Sequence, residues 1–187
     1  MNDEKISAII LAIVGPAGSG KDHMANYLRE KHGIPTLVSY TTRPMRPGEV
    51  NGVNHIFIDP SEVPSRDGMI AYTVYGGYEY FTLASQLEGL TIISYVIDEA
   101  GLIYLMENFW TKYFIQAIKI QCSKKVRLHR GIPQERISRD STRIVRYDEY
   151  DWVTQNNGTV EEFESKIDAF ITAFKKDNIY QLLTNNI

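Results

Sequence analysis

The stretch AIILAIVGPAGSGKD, residues 8–22, decides the fold of this 187-residue chain. Its first half is a continuous apolar run, as expected of a strand buried on both faces of a parallel sheet. Glycines follow at 15, 18 and 20, and the next segment, KDHMANYLREKHG, has helical spacing and a stop signal at Gly33. The order strand, glycine loop, helix predicts an α/β protein with a central parallel sheet.

Residues 15–22, here called the phosphate loop, have the spacing of a triphosphate-binding turn. Glycine allows the backbone to approach phosphate oxygens, successive N–H groups point inward, and the helix beginning near Lys21 adds its positive end. The Lys21 ammonium can bridge the β- and γ-phosphates. The residues predicted to bind ATP in this loop are Gly15, Gly18, Ser19, Gly20, Lys21 and Asp22.

Asp22 stands where this type of loop normally has a Ser or Thr hydroxyl that binds Mg²⁺. A carboxylate is a stronger ligand by charge, and a metal ion between it and the triphosphate would turn repulsion into attraction. The sequence therefore predicts Asp22 as a ligand to Mg²⁺, with ATP as co-substrate.

The rest of the chain divides around this core. Apolar runs at 91–97 and 113–120 predict two more buried strands, with a crossover helix between them, and residues 159–176 predict a closing amphipathic helix. Two regions depart from this alternation of strands and helices. Residues 37–82, here called the insert, predict a small antiparallel sheet. Residues 124–146, here called the lid, predict helices broken at Gly131 and Pro133. We expect one domain, with a three-layer core formed by residues 1–36, 83–123 and 147–187.

Composition excludes several classes of protein. The net charge of −3 and the pI near 5.8 argue against a general binder of nucleic acid or of anionic membranes. The longest apolar run is too short to cross a bilayer. A single cysteine, Cys122, rules out an intrachain disulfide and fits a reducing compartment. We expect a cytoplasmic monomer or homodimer whose partners are small molecules.

The insert opens with SYTTRPMRPGEVNGVNHIF, residues 39–57. Arg43 and Arg46 stand three apart beside a Ser/Thr cluster and could clamp a second phosphate group with fork geometry. A basic loop of this kind after a phosphate loop indicates a kinase whose acceptor is itself phosphorylated.

These two loops together resemble the guanylate kinase family. The family's loop S-x-T-T-R-x-x-R-x-G-E-x-x-G is matched by Ser39, Thr41, Thr42, Arg43, Arg46, Gly48, Glu49 and Gly52. YGGYEYFT, IDEAG, RLHRG and VTQNNGTVEE are similar to later family segments, so the resemblance covers nearly the whole chain. It implies a P-loop kinase fold and transfer of phosphate from ATP, with Mg²⁺, to GMP or dGMP.

The resemblance also implies roles for individual residues. Lys21 and Arg43 would act in catalysis with the lid arginines, and Asn156 would bound the adenine site. The lid arginines expected to cover the transferred group are Arg130, Arg136 and Arg139. The residues expected to hold the acceptor are Ser39, Arg43, Arg46, His55, Tyr80, Thr82 and Asp98.

One position leaves the identity of the acceptor nucleotide undecided. The family glutamate that accepts from guanine N1 and N2 aligns with Ala71, which cannot do so. Either Asp98 or Thr82 reads guanine alone, or the alignment shifts here, or the acceptor is another deoxynucleotide or a phosphorylated ribose. A non-catalytic interaction domain is a further alternative, although the intact phosphate loop argues against it.

Overall fold

The computed structural model describes residues 6–141, 147–177 and 180. The last five residues of the predicted lid, 142–146, and both ends of the predicted core lie outside this part of the chain. Within it the structure has nine strands: β1 Ala8–Val14, β2 Thr36–Leu37, β3 Tyr40–Thr41, β4 Ile56–Phe57, β5 Met69–Tyr75, β6 Tyr78–Leu83, β7 Ile92–Val96, β8 Tyr113–Gln121 and β9 Trp152–Gln155.

Five α-helices accompany these strands in the described residues: α1 Lys21–His32, α2 Glu99–Phe109, α3 Lys124–His129, α4 Gln134–Ser141 and α5 Val160–Lys176. The predicted helix stop is confirmed, because Gly33 takes a left-handed conformation and its N–H bonds Leu28 O. Helix α5 begins with a capping box formed by Thr159 and Glu162.

The core is a five-stranded sheet in the order β2-β7-β1-β8-β9, and all of its pairs are parallel. The central strand β1 is buried along its whole length. Ile9, Leu11 and Ile13 pack with α1 and α5, while alternate residues such as Ile10 and Ala12 pack with α2 on the opposite face. This two-sided burial explains the unbroken apolar run, and the predicted α/β core with a parallel sheet is confirmed.

Helix α5 covers the sheet as its sequence pattern predicts. Its buried residues are Phe163, Ile167, Phe170, Ile171 and Phe174. Their spacing places them on one stripe of the helix, which packs against the α1 side of the sheet.

The insert forms a four-stranded sheet in the order β4-β3-β6-β5. Gly76 and Gly77, with φ values of 62° and 81°, make the tight turn of the β5–β6 hairpin. Pairing is antiparallel as predicted, except that β4 runs parallel to β3. The long loop between β3 and β4 permits this, because a parallel pair needs a crossover rather than a tight turn. Leu37 belongs to the core strand β2 and Leu83 to the insert strand β6, one residue from the predicted boundaries at each end.

Candidate active site at the end of the central sheet

The phosphate loop follows β1 and leads directly into α1. Gly18 and Gly20 have φ values of 75° and 105°, a region open mainly to glycine. At Gly15 a Cβ atom would lie 2.6 Å from Ile120 O, so a side chain there would collide with backbone. The Lys21 ammonium lies over the loop and donates to Pro16 O at 3.2 Å. The loop therefore has the backbone conformation and the cation that the sequence predicts.

Asn156, which directly follows β9, is hydrogen-bonded to the phosphate loop. Its side-chain nitrogen donates to Ser19 O at 2.8 Å, and its side-chain oxygen accepts from Arg130 at 3.0 Å. Arg130 also donates to Gly18 O at 3.2 Å. Both ends of the Asn156 amide are thus engaged by the loop and the lid, and Asn156 also lines the cavity beside them.

A small cavity of about 270 Å³ opens beside this contact. Its wall includes Gly20, Asp22, His23, Arg130 and Phe163. Here a phosphate loop, a guanidinium and an aromatic ring meet, a combination that suits the base and sugar of a nucleotide bound to the loop.

Asp22 lies at the start of α1 and lines both this cavity and a larger one. Within residues 6–141, 147–177 and 180, no three or more His, Cys, Asp or Glu side chains are grouped to hold a metal ion. A cation at Asp22 would therefore take its remaining ligands from nucleotide phosphates and water, which is how Mg²⁺ commonly binds.

The insert arginines occupy different environments. Arg43 is only 6% exposed, and its guanidinium donates to both carboxylate oxygens of Glu49, at 2.8 and 2.9 Å. Arg46 is partly exposed; its backbone N–H donates to Glu49 at 2.7 Å, and its guanidinium lies 3.8 Å from the same carboxylate. Glu49 thus organises both arginines, a role the sequence analysis did not assign to it.

Charge in this loop shifts several pKa values. Burial acts to raise the pKa of Glu49, but hydrogen bonds and charge from Arg43 and Arg46 outweigh burial and hold it below its usual value. Burial, followed by the charges of Arg43 and Arg136, lowers the pKa of Arg46. Positive charge is therefore crowded at this site, which is the condition an anionic ligand relieves.

Ser39, His55 and Tyr80 form the polar wall next to these arginines. The Ser39 hydroxyl lies 2.9 Å from His55 Nδ1, and the His55 and Tyr80 rings meet edge to face at 5.7 Å. Burial and then the charge of Arg43 lower the pKa of His55. A neutral imidazole here adds no further charge to the cluster.

The lid arginines are split between two places. Arg130 holds the phosphate loop, as described above, whereas Arg136 and Arg139 of α4 reach the larger cavity. The Arg136 Nε is buried without a hydrogen-bond partner among the described residues. Arg139 lies over the Tyr75 ring at 4.7 Å and so connects the lid to the insert hairpin.

The larger cavity, here called the main cleft, has a volume of about 510 Å³. It brings together Lys21 and Asp22 from the phosphate loop, Arg43 and Arg46 from the insert, and Arg136 from the lid. Two anion-binding groups of independent origin therefore line one space, as the sequence analysis requires for transfer between two phosphorylated ligands.

The far wall of the main cleft includes Ala71, Tyr72, Thr73 and Asp98. The Thr73 hydroxyl donates to Asp98 at 3.3 Å, and the other Asp98 oxygen accepts from the Gly101 N–H at 2.8 Å. Thr82, predicted to approach the acceptor, is instead fully buried behind this wall, where its hydroxyl donates to Tyr95 at 3.2 Å. The register places Thr82 on the same face of the hairpin as Ala71, Thr73 and Tyr80, but Thr82 lies at the end of that row, where Tyr95 of the core strand β7 covers it.

Three residues in the site were missed by sequence reasoning: Glu49, Thr73 and Asp140. Glu49 lay inside the quoted loop pattern, where a lone carboxylate three residues after Arg46 was a usable signal. Thr73 and Asp140 depend on contacts between distant segments, which no local pattern reveals.

Comparisons with known proteins point to a single family. A family model described as guanylate kinase matches residues 7–91. A guanylate kinase of Baumannia cicadellinicola is 31% identical over 171 residues, an alignment that covers 80% of this chain and 82% of that protein. A guanylate kinase of Gloeobacter violaceus is 35% identical over a shorter alignment, which covers 54% of this chain and 53% of that protein.

The fold has a counterpart among solved structures. The crystal structure of guanylate kinase from Anaplasma phagocytophilum aligns with a TM-score of 0.68 and 24% identity, covering 91% of this chain and 88% of that one. None of the helices in the described part of this chain has the length and apolar character needed to cross a membrane.

Proposed function

This chain belongs to the guanylate kinase family, and from that premise we propose that it transfers the γ-phosphoryl group of ATP to GMP or dGMP. The products are ADP and GDP or dGDP. The observation that carries the proposal is the main cleft, where Lys21 of the phosphate loop and Arg43 and Arg46 of the insert line one cavity. A protein that only bound ATP would not need the second group of cations.

The donor triphosphate lies along the phosphate loop in this proposal. Loop N–H groups and the positive end of α1 bind its oxygens, and the Lys21 ammonium exchanges its contact with Pro16 O for the β- and γ-phosphates. Asp22 would hold Mg²⁺, which would supply positive charge against the charge that develops on the phosphates during transfer. The donor base and sugar occupy the small cavity beside Arg130.

The acceptor phosphate is held by the insert. Arg43 keeps its fork on Glu49 and lines the cleft, and its buried Nε has no hydrogen-bond partner in the described structure. Arg46, Ser39 and Tyr80 complete the cradle from the same side of the cleft. Because the acceptor oxygen is already anionic, the reaction needs alignment and charge neutralisation rather than a general base.

The lid supplies the remaining positive charge. Arg136 lines the cleft, and its buried Nε has no hydrogen-bond partner among the described residues. Arg139, stacked on Tyr75, lines the same cleft. Closing these groups over the reacting phosphates excludes water as a competing acceptor and stabilises the transition state. Asn156 positions the loop and Arg130, and it also lines the cavity proposed for the donor base.

The acceptor base lies against the wall formed by Ala71, Thr73 and Asp98. One Asp98 oxygen accepts a hydrogen bond from the Gly101 N–H, and the other accepts from the Thr73 hydroxyl. The second oxygen is the one that would accept a hydrogen bond from a guanine N–H. Thr82 supports this wall through Tyr95 without touching the ligand.

A substrate panel tests the proposal. The protein is incubated with Mg-ATP and, in turn, GMP, dGMP, AMP, CMP, UMP, dTMP or a ribose phosphate, and ADP formation is followed. Turnover confined to GMP and dGMP is expected. Turnover with a different acceptor would reassign the substrate, and bound ATP without turnover on any acceptor would leave only a nucleotide-binding module. An Arg43→Gln variant serves as the matched inactive control.

A further inference from the structure

A carboxylate from the lid is inserted into the phosphate loop. Asp140, on α4, accepts a hydrogen bond from the Ala17 N–H at 2.7 Å. The same oxygen accepts from Arg127 of α3 at 3.2 Å. Both side chains are nearly buried, with 6% of Asp140 and 11% of Arg127 exposed, so this is an interior contact rather than a surface ion pair.

The surroundings of this oxygen are those of a bound phosphate oxygen. A backbone N–H of the phosphate loop lies on one side and a guanidinium on the other, and Lys21 lines the same cleft. Backbone N–H groups of such loops bind anionic oxygens because they are otherwise left without partners. In this chain the anion that meets the Ala17 N–H belongs to the protein.

We propose that Asp140 is an internal substitute for a nucleotide phosphate, which holds the lid against the phosphate loop until MgATP displaces it. The proposal rests on the function proposed above, since it assumes that the loop binds a triphosphate. Asp140 and Arg127 both belong to the lid, so they can leave the loop together while still paired with each other. The Asp140 contact and the nucleotide are then mutually exclusive at the Ala17 N–H, so nucleotide entry frees α4 from the loop before its arginines close over the phosphates.

Such an arrangement weakens nucleotide binding in a measurable way. The incoming phosphate must break a charge-assisted hydrogen bond and enter next to a carboxylate before it gains its own contacts. An Asp140→Asn variant keeps the size and one acceptor oxygen but removes the charge. We expect the variant to bind MgATP more tightly, on the order of tenfold, because neutral hydrogen bonds are about half as strong as charge-assisted ones.

The experiment is titration calorimetry with MgATP and, separately, with inorganic tripolyphosphate. Three proteins are compared: the unaltered chain, Asp140→Asn, and Glu135→Gln as control. Glu135 lies on the same helix but is exposed, so its variant makes the same change in net charge away from the loop. Tighter binding by Asp140→Asn alone, to both ligands, is the expected result.

Two results overturn the inference. One is an Asp140→Asn affinity equal to or weaker than that of the unaltered chain, and the other is an equal gain in both variants, which would be a net-charge effect. If the unaltered chain binds neither ligand, the proposed function itself fails, and that outcome is recognised before any variant is compared.

A measurement on the unaltered chain covers the case in which Asp140→Asn does not fold. With aspartate labelled at its carboxyl carbon, the Asp140 resonance should move when tripolyphosphate is added, because the carboxylate loses its loop N–H. A resonance that stays in place at saturation would show that Asp140 is not displaced and would overturn the inference.

Discussion

Glu49→Gln tests how charge is balanced at the acceptor end of the main cleft. The Arg43 guanidinium is almost fully buried, and Glu49 compensates its charge through bonds of 2.8 and 2.9 Å. Removing one partner of a buried pair costs roughly 3–5 kcal/mol. Glutamine keeps one acceptor oxygen, so we expect a loss of about 2 kcal/mol in the free energy of unfolding, or roughly 4–8 °C in Tm for a chain of this size.

The same substitution should change the response to ligand. An acceptor phosphate brings negative charge to the uncompensated Arg43, so GMP or inorganic phosphate should raise the Tm of Glu49→Gln more than that of the unaltered chain. The assay is thermal unfolding with and without ligand, supported by urea denaturation. Glu88→Gln, at an exposed carboxylate, is the control. Equal stability of Glu49→Gln and the unaltered chain, or equal phosphate-dependent shifts, would refute the reasoning.

Four further predictions concern the two ends of the cleft. Asp22→Ala should lower Mg²⁺-dependent turnover by a larger factor than it weakens nucleotide binding, and equal turnover would remove Asp22 from the metal site. Gly20→Ala, at φ 105° and with its methyl group 2.5 Å from a neighbouring side-chain nitrogen, should reduce ATP affinity, whereas Gly89→Ala, at φ 75° in open space, should leave ATP affinity unchanged. Burial and the nearby Arg43 guanidinium keep the pKa of His55 below its usual value of 6.5. Because the unfolded state then binds the proton more readily, the free energy of unfolding should fall as pH drops below about 6.5. His55→Gln should lessen this fall in urea denaturation, and an unchanged dependence on pH would contradict the prediction. Ala71→Glu places a second carboxylate in the cleft wall and should raise the ratio of kcat/KM for GMP over IMP, which lacks the guanine amino group, on the order of tenfold; an unchanged ratio would show that the base does not meet this wall.

Local pattern was sufficient where a segment's environment is set by its own residues. The apolar run of β1, the glycines of the phosphate loop and the stripe that begins at Phe163 each predicted an element that the structure contains. The family resemblance and the α/β core are likewise confirmed. The common reason is that burial of an element on one or both faces fixes the spacing of apolar residues along its sequence.

The rest depends on contacts that sequence spacing does not encode. The parallel β4 is decided by the path of a long loop, and the edge strand β9 is too short to show a period of its own. Thr82 is covered by Tyr95 of the core strand β7, and Asp140 meets Ala17 across more than 120 residues. Each of these positions was determined by tertiary pairing, so its partner became visible only in the folded chain.

A bisubstrate analogue, in which adenosine and guanosine are joined through a five-phosphate chain, tests the central claim most directly. If the phosphate loop and the Arg43–Arg46 cradle bind two ligands end to end, the analogue should bind at least a hundredfold more tightly than ATP alone, because the second contact becomes intramolecular. Both Lys21→Gln and Arg43→Gln should abolish that gain in titration calorimetry. An analogue that binds no better than ATP, with an affinity unaffected by Arg43→Gln, would contradict the account.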